Sequence, residues 1–159
     1  FVLDFGFSLE NITKRESPDF EVKTPEGIVY LEVTHTVVRE AKEGKMGYKI
    51  TRAIRAKSKK SYANRETILF LDITNIVFQE VRAGRDIRGL RHYAEETLKT
   101  SKFGALVLIY GMFSIEDDKY LLGFIPFLNK GVSEPVKSFI TRHYSYEERN
   151  RRAYSMFKT

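Results

Sequence analysis

The sequence predicts an α/β domain: a mixed central sheet that opens with a β-hairpin and is flanked by helices. Three observations carry that prediction. The runs TILFLDIT (67–74), FGALVLIY (103–110) and KYLLGFIP (119–126) are short and apolar, as strands buried on both faces are. Between them lie segments whose apolar residues recur every three or four positions, as on helices. Near the start, two β-prone segments flank Thr24-Pro25-Glu26-Gly27, with Pro and Gly in suitable turn positions. Strands alternating with helices imply crossovers and parallel neighbours, whereas the hairpin adds antiparallel ones.

Taken in order, residues 7–15 (FSLENITKR) read as a short helix with Ser8 as N-cap. Residues 18–23 and 28–35 are the hairpin strands. Residues 36–47 are ambiguous, because Gly44 and Gly47 interrupt any helix there. A helix is expected from about Tyr48 to Tyr62, with Met46, Ile50, Ala53 and Ile54 as its apolar stripe. After the strand at 67–74, Asn75 is expected to cap a short helix to about Ala83. A second helix runs from Asp86 to Lys99. Past the strands at 103–110 and 119–126, Ser133 starts a helix ending near His143. Ser145 and Glu148 fit a Ser-x-x-Glu capping box for a last helix through Phe157.

The 159 residues suit one domain, and 42% hydrophobic content supplies a core without staples. The absence of Cys excludes disulfides, Cys-ligated zinc, iron–sulfur clusters and thiol catalysis. His35, His92 and His143 are too scattered to suggest a His-rich metal site. No apolar run approaches the roughly 18 residues of a membrane span. The opening FVLDFGFSLE lacks a basic region followed by an apolar run, so no signal peptide is expected. The chain begins on Phe1 without Met, which leaves further N-terminal residues as an open expectation. Lack of Cys fits a cytoplasmic or otherwise intracellular protein.

The net charge of +6 is unevenly spread. Residues 39–65 hold ten Lys or Arg against Glu40 and Glu43, a local +8 that leaves −2 for the rest. A solvated helix face is the ordinary explanation. Attraction to phosphate is the functional one.

The hairpin carries the sharpest chemical signal. With the turn centred on Pro25-Glu26, Lys23 faces Ile28, Glu21 faces Tyr30, and Asp19 faces Glu32. One face carries Phe20, Val22, Val29, Leu31 and Val33 and belongs to the core. The other carries Asp19, Glu21, Lys23, Tyr30, Glu32 and Thr34. Opposed carboxylates repel and destabilise a sheet. A proton, a cationic side chain or a metal ion must offset them. Mg²⁺ is commonly held by one or two carboxylates with water and phosphate. The alternative is an exposed hairpin whose acids pair with Lys or Arg.

At these residues the sequence resembles the PD-(D/E)XK nuclease superfamily. Ser17-Pro18-Asp19-Phe20 matches the first half of the motif, and Leu31-Glu32-Val33-Thr34 matches the second, with Glu32 thirteen positions after Asp19. The resemblance spans about residues 8–75 and implies a restriction-endonuclease-like core. It also implies Mg²⁺- or Mn²⁺-dependent hydrolysis of a nucleic-acid phosphodiester, with DNA favoured by the superfamily's habits. Asp19, Glu32 and the carbonyl of Val33 would hold the metal. Glu10 matches an upstream acid that many members use as a further ligand, with a plain surface Glu as the alternative. Glu16 and Glu21 are weaker candidates.

Thr34 stands where the motif has Lys, and a neutral hydroxyl cannot replace an ammonium. In that superfamily the Lys can migrate. Lys49 is the first choice here and Lys45 the second. Lys23 is a poor one, four residues or roughly 13 Å of strand from Asp19. Thr34 itself could bond a water at the site or simply favour a strand. Lys45, Lys49, Arg52 and Arg55 would bind the nucleic-acid backbone. Tyr48 and Tyr62 could stack on bases or pack on the helix. His35 falls on the core face by alternation. Asp72 either faces the site or caps a buried network. Two other functions compete: a catalytically inactive nucleic-acid-binding domain of the same fold, and a protein-interaction module whose basic face meets an acidic partner.

Overall fold

In the computed structural model, residues 9–36, 45–114, 119–144 and 153–154 are described. Seven strands form one mixed sheet: β1 (Ile12–Lys14), β2 (Phe20–Thr24), β3 (Gly27–His35), β4 (Thr67–Asp72), β5 (Ala105–Ser114), β6 (Lys119–Leu128) and β7 (Ala153–Tyr154). Their order across the sheet follows the order along the chain. The first three strands are antiparallel neighbours, β3, β4 and β5 are parallel, and β5, β6 and β7 are antiparallel again. The four helices are α1 (Met46–Ser58), α2 (Thr74–Arg82), α3 (Arg88–Lys99) and α4 (Glu134–Tyr144). The α/β class, with a mixed sheet opening on a hairpin, is the one the sequence predicts.

The helices divide between the two faces. On one, Met46, Ile50 and Ile54 of α1, with apolar residues of α2 and α3, cover Leu69, Leu71, Leu106 and Leu108. On the other, Val136, Phe139 and Ile140 of α4 cover Leu31, Ile68, Phe70 and Val107. Strand β4 is therefore buried on both sides, which explains why its sequence does not alternate. Helices α1 and α3 approach closely. A Cβ on Gly47 would come within 2.2 Å of the Tyr93 ring, and the Thr51 and Thr97 hydroxyls lie 3.0 Å apart. Among the described residues, no helix is long and apolar enough to cross a membrane.

Several local expectations are corrected. The helix expected at 7–15 is instead a 3₁₀ turn, Leu9–Asn11, followed by β1. Pairing with β2 gives the β-branched Ile12 and Thr13 ladder bonds that a short isolated helix could not match. Ser8, most of the ambiguous stretch at 36–47, and the Ser145/Glu148 box lie outside the described residues. Ala153 and Tyr154 pair with Leu121 and Tyr120 as a strand, so no helix runs through them. Asn75 sits inside α2 rather than at its cap. Ile73 is the N-cap and makes no side-chain cap bond; the Asp72 carboxylate accepts the Thr74 N–H at 2.8 Å across the turn from β4 into α2. His35 is exposed, and Val33 is 40% exposed, although alternation assigns both to the core face. Both lie at the end of β3, beyond the apolar residues that α4 covers.

Candidate metal and nucleic-acid site

The hairpin folds in the expected register. Glu21 lies opposite Tyr30, Lys23 opposite Ile28, and Phe20 opposite Leu31. Asp19 immediately precedes β2. Its Oδ2 accepts the Val33 N–H at 2.7 Å, extending the hairpin contact by one side-chain bond. N–H and C=O of one strand residue leave on the same side, so the Val33 carbonyl also points towards the Asp19 edge. The 15–19 loop closes behind Asp19, where the Arg15 N–H donates to its carbonyl at 2.9 Å.

Glu32 is only 4% exposed, although it stands on the hairpin's polar face. Helix α1 and the turn that follows it cover that face. The half-buried residues Lys49, Ala53 and Lys57 recur every four positions along one flank of α1. Lys57 shows where this flank points, because its Nζ reaches Glu32 Oε1 at 2.5 Å. The Tyr62 hydroxyl donates to the same oxygen at 2.7 Å. Burial, then the hydrogen bond to Glu32 and the charges of Glu32 and Asp19, push the Tyr62 hydroxyl's pKa well up. Tyr62 therefore stays protonated and acts as a donor.

Asp19, Glu32, Lys57 and Tyr62 form one cluster, with two carboxylates set against one ammonium. Both bonds to Glu32 end on Oε1, and the bond to Asp19 ends on Oδ2. Those bonds leave Glu32 Oε2 and Asp19 Oδ1 as the oxygens that a cation would take. Two carboxylates and a carbonyl at one strand edge fit a hard divalent cation, with water and phosphate completing its shell. Among the described residues, no three acidic or His side chains gather as a ready metal cage.

The other candidates are placed as follows. Thr34 is half-buried on the Glu32 side of β3. Glu10 is exposed on the 3₁₀ turn before Ile12, and Ile12 pairs with Val22. It therefore lies towards the hairpin turn, at the end of β2 away from Asp19, and is not brought to the cluster. Glu21 is paired with Arg15, whose guanidinium sits 5.8 Å from the Tyr30 ring centroid. Lys45, Arg52 and Arg55 are exposed, Lys49 is half-buried, and Tyr48 is 63% exposed. The sequence points first to Lys49 and then to Lys45. The one placed on Glu32 is Lys57, eight residues or about 12 Å along the helix from Lys49. Lys57 and Tyr62 are the partners that sequence reasoning did not assign to Glu32. The four-residue recurrence at 49, 53 and 57 was the available signal.

Compared with known proteins, the chain matches no family model, no curated protein and no solved structure.

Proposed function

We propose that the protein is a metal-dependent phosphodiesterase acting on nucleic acid, DNA in preference to RNA, through a PD-(D/E)XK-like site whose lysine is Lys57. One observation carries this reading: the Lys57 ammonium lies on Glu32, one residue before the Val33 N–H that Asp19 accepts, although the motif position holds Thr34. A lysine from α1 on Glu32 would supply the positive charge that Thr34 lacks.

Asp19, Glu32 and the Val33 carbonyl would hold Mg²⁺ or Mn²⁺. Such a cation, when bound, neutralises phosphate charge and makes water nucleophilic near neutral pH. The chain's own groups do the rest. The Val33 N–H fixes the Asp19 carboxylate. The Tyr62 hydroxyl and the Lys57 ammonium fix that of Glu32. Lys57 also offers positive charge where a phosphate would accumulate negative charge in the transition state. Exposed Lys45, Arg52 and Arg55 supply backbone attraction without sequence information.

Incubating the protein with plasmid or oligonucleotide and Mg²⁺ or Mn²⁺ tests the reading. Cleavage should occur and should be lost in Asp19→Ala and Glu32→Ala. Metal-independent cleavage that survives both changes would remove the assignment.

A second reading is a catalytically inactive nucleic-acid-binding domain. It is favoured by the double occupancy of Glu32 Oε1, which is also how a buried structural ion pair is satisfied. It predicts salt-sensitive binding without turnover.

A further inference from the structure

Helix α1 contains four cationic residues and no acid. Lys57 is used on the hairpin flank, but Arg52 and Arg55 face elsewhere. With Tyr48 and Lys59 they recur at spacings of four, three and four, a single stripe on the solvent side. Among the described residues, no carboxylate pairs with Arg52, Arg55, Lys59 or Lys102, whereas Lys57, Arg85, Arg88, Lys99 and Arg142 are all paired.

This stripe borders a groove between the C-terminal ends of α1 and α3. The groove has a volume of about 490 Å³ and is lined by Arg55, Lys59 and Lys102 together with Ser58, Thr97 and Thr100. A second hollow of about 230 Å³ shares Arg55 and Lys59 and continues past Arg52 to Tyr48. Neither lining includes an acidic residue.

The far wall is held rigidly. The Lys102 N–H donates to Ser58 Oγ at 2.9 Å, tying the loop after α3 to the end of α1. The Asn129 amide donates to the carbonyls of Leu98 and Phe103 at 2.7 and 3.0 Å, and Arg65 donates to that of Phe103 at 2.7 Å. Lys102 is thus presented from a braced loop. Ser101, only 7% exposed, also lines the groove, and its hydroxyl has no hydrogen-bond partner among the described residues.

We propose that this α1–α3 groove is a phosphate-binding track for a single nucleic-acid strand, with Arg52, Arg55, Lys59 and Lys102 on its phosphates and Tyr48 stacking on a base at one end. The proposal rests on the nucleic-acid reading above and extends the contact of Arg52 and Arg55 to Lys59, Lys102 and Tyr48, on the flank of α1 away from Glu32. Arg52 to Lys59 spans about 10 Å of helix axis, the rise of about three nucleotides in a stacked strand. The two hollows form a continuous line of cations with an aromatic end, which suits a strand better than an isolated phosphate.

The test is fluorescence anisotropy of a labelled single-stranded oligonucleotide, in EDTA, across a salt series. The double variant Lys59→Ala/Lys102→Ala should bind about tenfold more weakly and lose about 1.4 from the slope of log K against log salt. The control Lys130→Ala/Lys137→Ala removes the same charge near α4 and should change binding less than about twofold. Equal weakening in both pairs, or none in the first, overturns the groove. EDTA separates this test from catalysis. Lost binding in the groove variant with no Mg²⁺-dependent cleavage by the unmodified protein leaves the groove and removes the nuclease. Unchanged binding with active cleavage does the reverse.

Discussion

The Lys57 ammonium lies 2.5 Å from Oε1 of Glu32, joining the last turn of α1 to the middle of β3. Lys57 is 29% exposed and Glu32 5% exposed at the side chain. The pair is therefore neither a free surface contact nor fully desolvated. Surface pairs contribute about 0–1 kcal/mol, whereas breaking a buried pair costs about 3–5 kcal/mol. Lys57→Ala should cost about 2 kcal/mol, chiefly by leaving Glu32 buried without its cation. Denaturant unfolding of Lys57→Ala, Glu32→Gln and the double variant checks this. The double variant should be more stable than the sum of the single effects implies. Strict additivity would show that the two side chains are not coupled.

Metal binding by Asp19 and Glu32 should be visible without any substrate. Mn²⁺ at millimolar concentration should raise the thermal unfolding midpoint of the unmodified protein, because a ligand bound only to the native state stabilises it. The same addition should leave Asp19→Asn unshifted. Glu10→Gln should behave like the unmodified protein, since Glu10 lies at the other end of β2. A loss of the Mn²⁺ shift in Glu10→Gln would return Glu10 to the site.

Tyr62 gives a pH signature. Its folded-state pKa is raised, first by burial and then by Glu32, above an unfolded value of about 10. Between those values the native state holds a proton that the unfolded chain has lost. The contribution is full below about pH 10 and falls as pH rises towards the folded value. The unfolding midpoint should therefore decline above pH 10 more steeply in the unmodified protein than in Tyr62→Phe. Parallel curves would show that Tyr62 ionises without linkage to folding.

Asn129 is 5% exposed, and its amide satisfies the carbonyls at the end of α3. Asn129→Ala should cost about 2–3 kcal/mol, because buried acceptors lose their donors. It should also loosen the loop that carries Lys102. Hydrogen exchange at 100–104 in this variant reads that loosening directly.

The layers of the fold were legible in the sequence for a physical reason. Strands buried on both faces, such as Ile68–Leu71, must be apolar throughout, and helices must show a stripe. The hairpin register was legible too, because Pro25-Glu26 centres the turn and a slip of one residue would turn Val22, Val29 and Leu31 out to solvent. Edge features were less so. Nothing local in Ile12-Thr13-Lys14 announces that β2 will recruit it. Asn75 does not cap α2, because the chain turns straight from β4 into a helix that already begins at Thr74. At the candidate site, the sequence sets Asp19 against Glu32; the ladder stops at Phe20, and Asp19 meets β3 through the Val33 N–H. The sequence could not supply Lys57, because how far α1 slides along β3 depends on the connection between them. A slide of two helical turns separates Lys49 from Lys57 as Glu32's partner.

The most direct measurement is Mg²⁺-dependent cleavage of a labelled oligonucleotide under single-turnover conditions by the unmodified protein, Lys57→Ala and Lys49→Ala. Removing a transition-state charge typically lowers the rate by about 10²–10³-fold. The account predicts a loss of that order in Lys57→Ala. Lys49→Ala should weaken substrate binding and leave the single-turnover rate at saturation within about threefold, as expected of a backbone contact. Cleavage by Lys57→Ala at the unmodified rate, with Lys49→Ala inactive, would contradict the assignment of Lys57 as the lysine of the site.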